Sequence, residues 1–303
     1  MTTAASPSSP RWHPRGLNNG AIVSATYYGV SYLPPSLTYP IGHIGTWLAF
    51  HLMRKGTQAL VDNFAVMFPE LSPRARDLLA LRTYRSYARD VIDFIRSLRM
   101  TPEATRGLVT RLDTAALDQV MTEGRGAIVM SGHFGNWEIG GVLLRRLTPY
   151  SLSIVAKSEP SERVTRLRQE MRKGVGVETI EVRQHVDTAF RIRERLRQNH
   201  VIAMLLDRHL GKDSVEVSFF GRPTKFLRTP ALMAAFSGAP IVPCFVYRDG
   251  EGFAVETGPI IRVATTGDRD ANVRDAIQTV ATLIERHTQQ HPQYWYQFYR
   301  VWN

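Results

Sequence analysis

The sequence predicts an α/β fold, a mixed and largely parallel sheet flanked by helices, with a helical N-terminal portion. Three observations carry this reading. Short apolar runs such as GAIVMS at 126–131 and HVIAMLL at 200–206 have strand length and hardly any polar alternation, which marks strands covered on both faces. Amphipathic segments of helical length separate them, as crossover helices separate parallel strands. From residue 57 to 100 the pattern is helical throughout. At 303 residues and 44% apolar content the chain can bury a core, and no internal repeat or domain-separating linker interrupts it.

The first 15 residues lack an apolar stretch, so residues 1–20 are expected to form a flexible tail and not a signal peptide. Residues 21–303 read as one domain, helical over 21–100 and α/β over 101–303. Residues 16–53 contain no Asp, Glu, Lys or Arg, yet Pro34, Pro35 and Pro40 break them up. The longest apolar piece, 41–53, has 13 residues, short of the roughly 20 that cross a bilayer. No transmembrane helix is expected. With Trp47 and Phe50 followed by Arg54 and Lys55, the segment either lies flat in a headgroup layer or is a buried helix of the core.

Apolar periodicity over 63–68 stops at Pro69, and Ser72 before Pro73 is an N-cap with proline at the first helical position. The helix opened there carries Leu78, Leu81, Val91, Ile95 and Leu98 on one stripe. After Pro102, helix 114–123 is closed by Gly124, and strand 126–131, helix 136–147, strand 150–156 and a basic helix 161–173 follow. Strand 178–182, helix 186–199, strand 200–206 and helix 229–237 continue the alternation. Strands 241–247, 253–257 and 260–263 precede a last helix, 272–287, with Val273, Ile277, Val280 and Ile284 on one face.

Thirty-eight Lys and Arg against 27 Asp and Glu leave a net charge of +11, which suits an anionic partner: nucleic acid, phospholipid headgroups or an acidic carrier protein. The single cysteine, Cys244, excludes an intramolecular disulfide framework and any CxxC motif and points to a reducing compartment. The histidines show no HExxH or comparable ligand spacing, so no metal is expected.

The most informative string is SGHFGNWE at 131–138, between an apolar strand and a helix. A histidine at the carboxyl end of a strand stands where α/β sheets form ligand sites. On a regular helix five residues turn by about 500°, which leaves His133 and Glu138 roughly 140° apart. They meet only if His133 lies in the turn before the helix and Glu138 in its first turns. That arrangement is a base oriented by a carboxylate; the competing reading is a capping histidine beside a solvated glutamate.

SGHFGNWE resembles the signature of the lysophospholipid and lipid A acyltransferase superfamily: His, four residues, then Asp or Glu. The HFGNWE wording is similar to the lipid A late acyltransferases, the lauroyl and myristoyl transferases, and to the related phosphatidylinositol mannoside acyltransferases. DNFAVMFPELSPRARD at 62–77, AMLLDRHLGKDSVEVSFFGRPTKF at 203–226 and GAPIVPCFVYR at 238–248 resemble further blocks of that family, in the same order. The resemblance implies that His133 is the general base for an acceptor hydroxyl and that Glu138 orients it. It also implies direct transfer with no covalent acyl-enzyme, in keeping with the lack of a GxSxG elbow. Asp207, in LLDR, matches the family's acidic position after the central strand, and Arg208 follows it. Glu216 stands where some mannoside-type members keep Glu, and Lys157 where many lipid A members have Arg. The implied donor is an acyl thioester on acyl carrier protein or coenzyme A, with no other cofactor. The implied acceptor is an anionic membrane lipid or glycolipid, a lipid A precursor first and a phosphatidylinositol mannoside, lysolipid or aminolipid as the alternative. The implied location is the cytoplasmic face of the inner membrane, peripheral or monotopic.

Read without the resemblance, Asp207 and Arg208 form a surface ion pair, and Glu216 between Val215 and Val217 is a solvent-facing strand residue. The arginines at 163, 166, 168 and 172 with Lys173, and those at 191, 193, 195 and 197, are either solvated helix faces or a surface for anionic lipid or an acidic carrier. No nucleic-acid motif interleaves aromatics with them, so nucleic acid is not expected as a partner. The aromatic end, 294–302, is a packed terminal segment or an interfacial anchor, and His291-Pro292 before it favours packing. A basic membrane-binding protein without catalysis is the alternative of a different class.

Overall fold

A computed structural model describes residues 20–159, 161–182, 185–209 and 211–302; the expected tail lies outside them but for residue 20. Four helices come first: α1 (Gly20–Tyr32), α2 (Pro35–Leu52), α3 (Arg54–Met67) and α4 (Pro73–Ser97). The hydroxyl of Ser72 accepts from the Ala75 amide, so α4 opens on the N-cap that the sequence announces. After α5 (Pro102–Arg106) come β1 (Val109–Leu112), α6 (Ala115–Met121), β2 (Ala127–Ser131), α7 (Trp137–Leu147) and β3 (Leu152–Lys157). α8 (Glu162–Gly174), β4 (Val177–Val182), α9 (His185–Arg197) and β5 (Val201–Leu205) follow, then the hairpin β6 (Val215–Phe219) and β7 (Arg222–Phe226). α10 (Thr229–Ser237), β8 (Ile241–Asp249), β9 (Gly252–Thr257) and α11 (Arg269–Gln290) complete the order.

The main sheet has seven strands in the order β1-β9-β8-β2-β5-β3-β4, and β8 with β9 is its one antiparallel pair. β2 sits at the centre, and alternate residues feed opposite layers. Ile128 and Met130 join Ile202, Met204, Phe245, Leu196, Ile277 and Ile284 on the side of α9 and α11. Ala127 and Val129 join Leu152, Val201, Leu117 and Val142 on the side of α6 and α7. Burial on both faces is why β2 reads as an unbroken apolar run.

Two expectations change, one alternative falls, and the edge strand β1 and the hairpin are new. Residues 260–263 are not a strand: Gly258 and Pro259 interrupt the chain, and one isolated bridge, Ile241 to Ile261, remains. β1, whose VTRL sequence is polar, pairs at the sheet edge with β9, and the charged block at 215–226 is a separate hairpin. Pro40 stays inside α2, so among the described residues the uncharged segment is broken at Leu33 and Pro34, between α1 and α2. Nor is α2 a buried helix of the core. It turns Thr38, Gly42 and Thr46 inward, Gly42 against Ile92, while Leu37, Ile41, Ile44, Trp47, Leu48 and Leu52 stay exposed, Leu52 at 78%. Both threonine hydroxyls donate to carbonyls of their own segment, Thr38 to Pro34 and Thr46 to His43, so the polar face is satisfied locally. Among the described residues no helix is long and apolar enough to cross a membrane.

Candidate active site

The register of two central strands builds the site. β2 and β5 run parallel with Ser131 opposite Leu205, so the residues two places further on, His133 and Asp207, emerge side by side at the carboxyl edge. His133 Nδ1 lies 2.6 Å from Asp207 Oδ1, and the His133 amide donates to Asp207 Oδ2 at 2.8 Å. The two glycines that bracket the histidine make this approach possible. A Cβ on Gly132 would stand 3.1 Å from Asp207 Oδ2, and one on Gly135, at φ +60°, would collide with the Val246 carbonyl.

Asp207 is 4% exposed and is not part of a surface ion pair. Its Oδ2 also accepts from Trp295 Nε1 at 3.1 Å and Gln297 Nε2 at 2.6 Å. Burial pushes this carboxyl up, but the His133 ring, its hydrogen bonds and the Arg208 charge outweigh that, so it stays below the usual carboxylate range. His133 is lowered as well: burial and the Arg208 charge outweigh the pull of Asp207. The pair therefore rests as neutral imidazole and carboxylate, with Nδ1–H donating to Asp207 and Nε2 left to act as an acceptor.

Glu138, expected to orient His133, instead hydrogen-bonds Arg172. Arg172 Nε donates to Glu138 Oε2 at 3.1 Å and a second guanidinium nitrogen reaches Oε1. The reason is local. Asn136 caps α7 by accepting from the Ile139 amide, and His133 sits in the turn before it, where Phe134 bridges to Trp295. Glu138 thus projects from the first turn of α7 toward α8, where Arg172 meets it. Burial raises the Glu138 carboxyl, but Arg172 outweighs it and the net direction is downward.

His133, Glu138, Lys157, Arg168, Arg172 and Arg208 all line one cavity of about 1250 Å³. Lys157 ends β3 as an exposed residue of its rim. Arg208 packs on the C-terminal segment, donating to Gln297 Oε1 at 2.9 Å and the Tyr296 carbonyl at 2.7 Å. One arm of the cavity passes between α7 and the sheet, along Leu117, Val129, Gly141, Ile154, Cys244 and Val255; another reaches Ala189, Leu232, Met233 and Phe236 near α9 and α10. Glu216 is elsewhere: it is exposed on β6 opposite Lys225 and does not line the cavity.

Spacing did not find Trp295, Gln297 or the inward role of Arg172. The terminal segment packs on the domain, with the Tyr296 amide donating to the His133 carbonyl at 2.8 Å. Its one signal was a glutamine flanked by aromatics, which demands a buried polar partner. The arginines of α8 divide: Arg168 pairs with Glu159 at 3.2 Å and Arg172 with Glu138, while Arg163 and Arg166 are exposed.

The sequence model of a family described as bacterial lipid A biosynthesis acyltransferase matches residues 12–303. The chain is 27% identical to a phosphatidylinositol mannoside acyltransferase of Mycobacterium tuberculosis over 256 residues, 82% of this chain and 77% of that protein. It is 26% identical to a phosphatidylinositol mannoside acyltransferase of Mycolicibacterium smegmatis over 267 residues, 86% and 84% of the two chains.

Proposed function

Because the chain belongs to the bacterial lipid A biosynthesis acyltransferase family and is an acyltransferase, we propose that it moves a fatty acyl chain from a thioester to a hydroxyl of a membrane glycolipid. The observation that carries this reading is the neutral His133, locked through Nδ1 to buried Asp207, on the wall of a large apolar cavity. Nε2 of His133 takes the proton of the acceptor hydroxyl as its oxygen attacks the thioester carbonyl. Asp207 stabilises the imidazolium that forms. When the tetrahedral intermediate collapses, the carbon–sulfur bond breaks and the imidazolium returns the proton to the departing thiolate. Glu138 is a positioning residue, held by Arg172, that presents carboxylate oxygen to the acceptor's hydroxyls. Lys157 at the rim supplies charge for a phosphate of donor or acceptor. The donor is an acyl carrier protein or coenzyme A thioester, and the acyl chain lies in the apolar arm beneath α7.

Two acceptors have support. Both mycobacterial relatives favour a phosphatidylinositol mannoside; the family description favours a lipid A precursor. The work is done at a membrane surface, on which α1 and α2 lie with their exposed apolar side chains in the acyl region. Mass spectrometry of total lipids tests the reading, comparing cells lacking the protein with the same cells given wild type or His133→Ala. One lipid class should lose a single acyl chain in the first and third and regain it in the second. Identical profiles, together with no transfer by purified protein from either thioester, would refute it.

A further inference from the structure

Resting on the membrane-facing reading of α1 and α2, we propose that a cleft between α2, α4 and the β8–β9 turn binds the phosphate of an anionic phospholipid headgroup. The cleft has a volume of about 610 Å³ and shares no lining residue with the cavity at His133. Arg85, Arg89 and Arg96 of α4 all line it. At 100° per residue they fall within about 40° of one another, on a single stripe of the helix.

These cations are under-used. Among the described residues the guanidinium groups of Arg85 and Arg96 have no hydrogen-bond or ion-pair partner, and that of Arg89 reaches only the exposed Glu251 at 4.0 Å. Arg248, 10% exposed, bonds Asp93 and the Glu251 carbonyl, yet its buried Nε has no partner. The acids facing them are Asp90, Asp93 and Glu251, and His43 of α2 completes the wall. Asp93 is engaged by Arg248 and by the Tyr39 hydroxyl at 2.5 Å, and Asp90 accepts from the Tyr296 hydroxyl at 2.6 Å. Four guanidinium groups thus face a cleft with fewer carboxylates, the setting in which a phosphate is bound by paired N–H donors.

Position selects a lipid. The opposite wall is α2, which turns Gly42 toward the cleft and Ile41, Ile44, Trp47 and Leu48 outward. The cleft therefore lies one helix diameter, about 10 Å, behind an apolar surface. With that surface among acyl chains, the arginines stand at the level of the headgroups.

The test is sedimentation with vesicles of phosphatidylcholine alone and of phosphatidylcholine with phosphatidylglycerol. Wild type should prefer the anionic vesicles at least tenfold. Arg85→Gln with Arg96→Gln should abolish most of that preference and leave binding to neutral vesicles unchanged. Arg274→Gln with Arg286→Gln, exposed arginines of α11, removes the same charge elsewhere and should preserve it. Equal losses in the two pairs would assign the preference to diffuse charge and overturn the proposal while sparing the membrane reading. Wild type that binds neither vesicle would overturn the membrane reading and this site with it. Arg85→Lys with Arg96→Lys covers a folding defect: retained charge with a preference still well below wild type supports bidentate recognition, and a full preference overturns it. Inorganic phosphate that raises the Tm of wild type but not of the Gln pair, without any vesicle preference, would assign the cleft to free phosphate instead.

Discussion

Replacing Asp207 by Asn exchanges one carboxylate oxygen for an amide nitrogen at the centre of the site, and the structure dictates how the new side chain sits. Oδ2 faces three donors, the His133 amide, Trp295 Nε1 and Gln297 Nε2, so the amide oxygen of Asn must take that place. The NH₂ group then faces His133 Nδ1, where it can only donate. The ring is driven into the tautomer with the proton on Nε2 and ceases to be a base toward the cavity. In a serine-protease triad the same change costs about 10⁴ in kcat, roughly 5.5 kcal/mol of transition-state stabilisation. Stability should fall much less, by about 1–2 kcal/mol, because every donor keeps a partner. Asp207→Ala, by contrast, orphans three buried donors at about 1–3 kcal/mol each and should unfold measurably earlier. The assay is acyl release from a thioester with a glycolipid acceptor, alongside a thermal melt and nitrogen NMR of the His133 ring. An Asp207→Asn variant within threefold of wild-type kcat would refute the assignment. So would an unchanged tautomer.

Glu138→Gln should cost less than tenfold in kcat if Glu138 positions substrate; a loss equal to that of Asp207→Asn would restore it as the partner of His133. Burial and Arg208 hold His133 down, so the acid limb of kcat/KM should fall below pH 6.5, and Arg208→Gln should move it upward. A limb that ignores Arg208 would remove that charge from the account. Burial lifts the Asp90 carboxyl from 3.8 to about 7, with the Tyr296 hydrogen bond opposing; that span corresponds to roughly 4 kcal/mol. The folded state holds this proton more tightly than the unfolded chain, so its contribution to stability is full below about pH 4 and is lost as pH rises to about 7. Asp90→Asn should therefore raise Tm more at pH 8 than at pH 5, and an equal gain at both would refute it. Ile44→Glu with Trp47→Glu should release the protein from neutral vesicles while leaving its far-ultraviolet circular dichroism intact; unchanged sedimentation would show that α2 is not the contact.

The sequence determined the layers. Strands buried on both faces must be apolar along their whole length, so β2, β5 and β8 are legible as runs, and crossover helices as amphipathic intervals between them. It also singled out His133 as a candidate, a histidine between glycines at a strand's end, with a capping role as the competing reading. Its partner was not legible by spacing. Glu138 is five residues away and Asp207 seventy-four, and only the parallel register of β2 with β5 makes the distant acid the neighbour. For Glu216 the alternation with Val215 and Val217 gave the exposed face that the hairpin shows, whereas the resemblance alone had put it near the site. The polarity of α2 was likewise open. Composition gave an uncharged helix, but whether its apolar side chains face inward or outward depends on what α4 offers, and α4 offers Ile92 against Gly42 and a row of arginines beside it. Periodicity is a property of a segment, so a segment reveals it; contact between segments is a property of register and packing, and only the folded chain decides it.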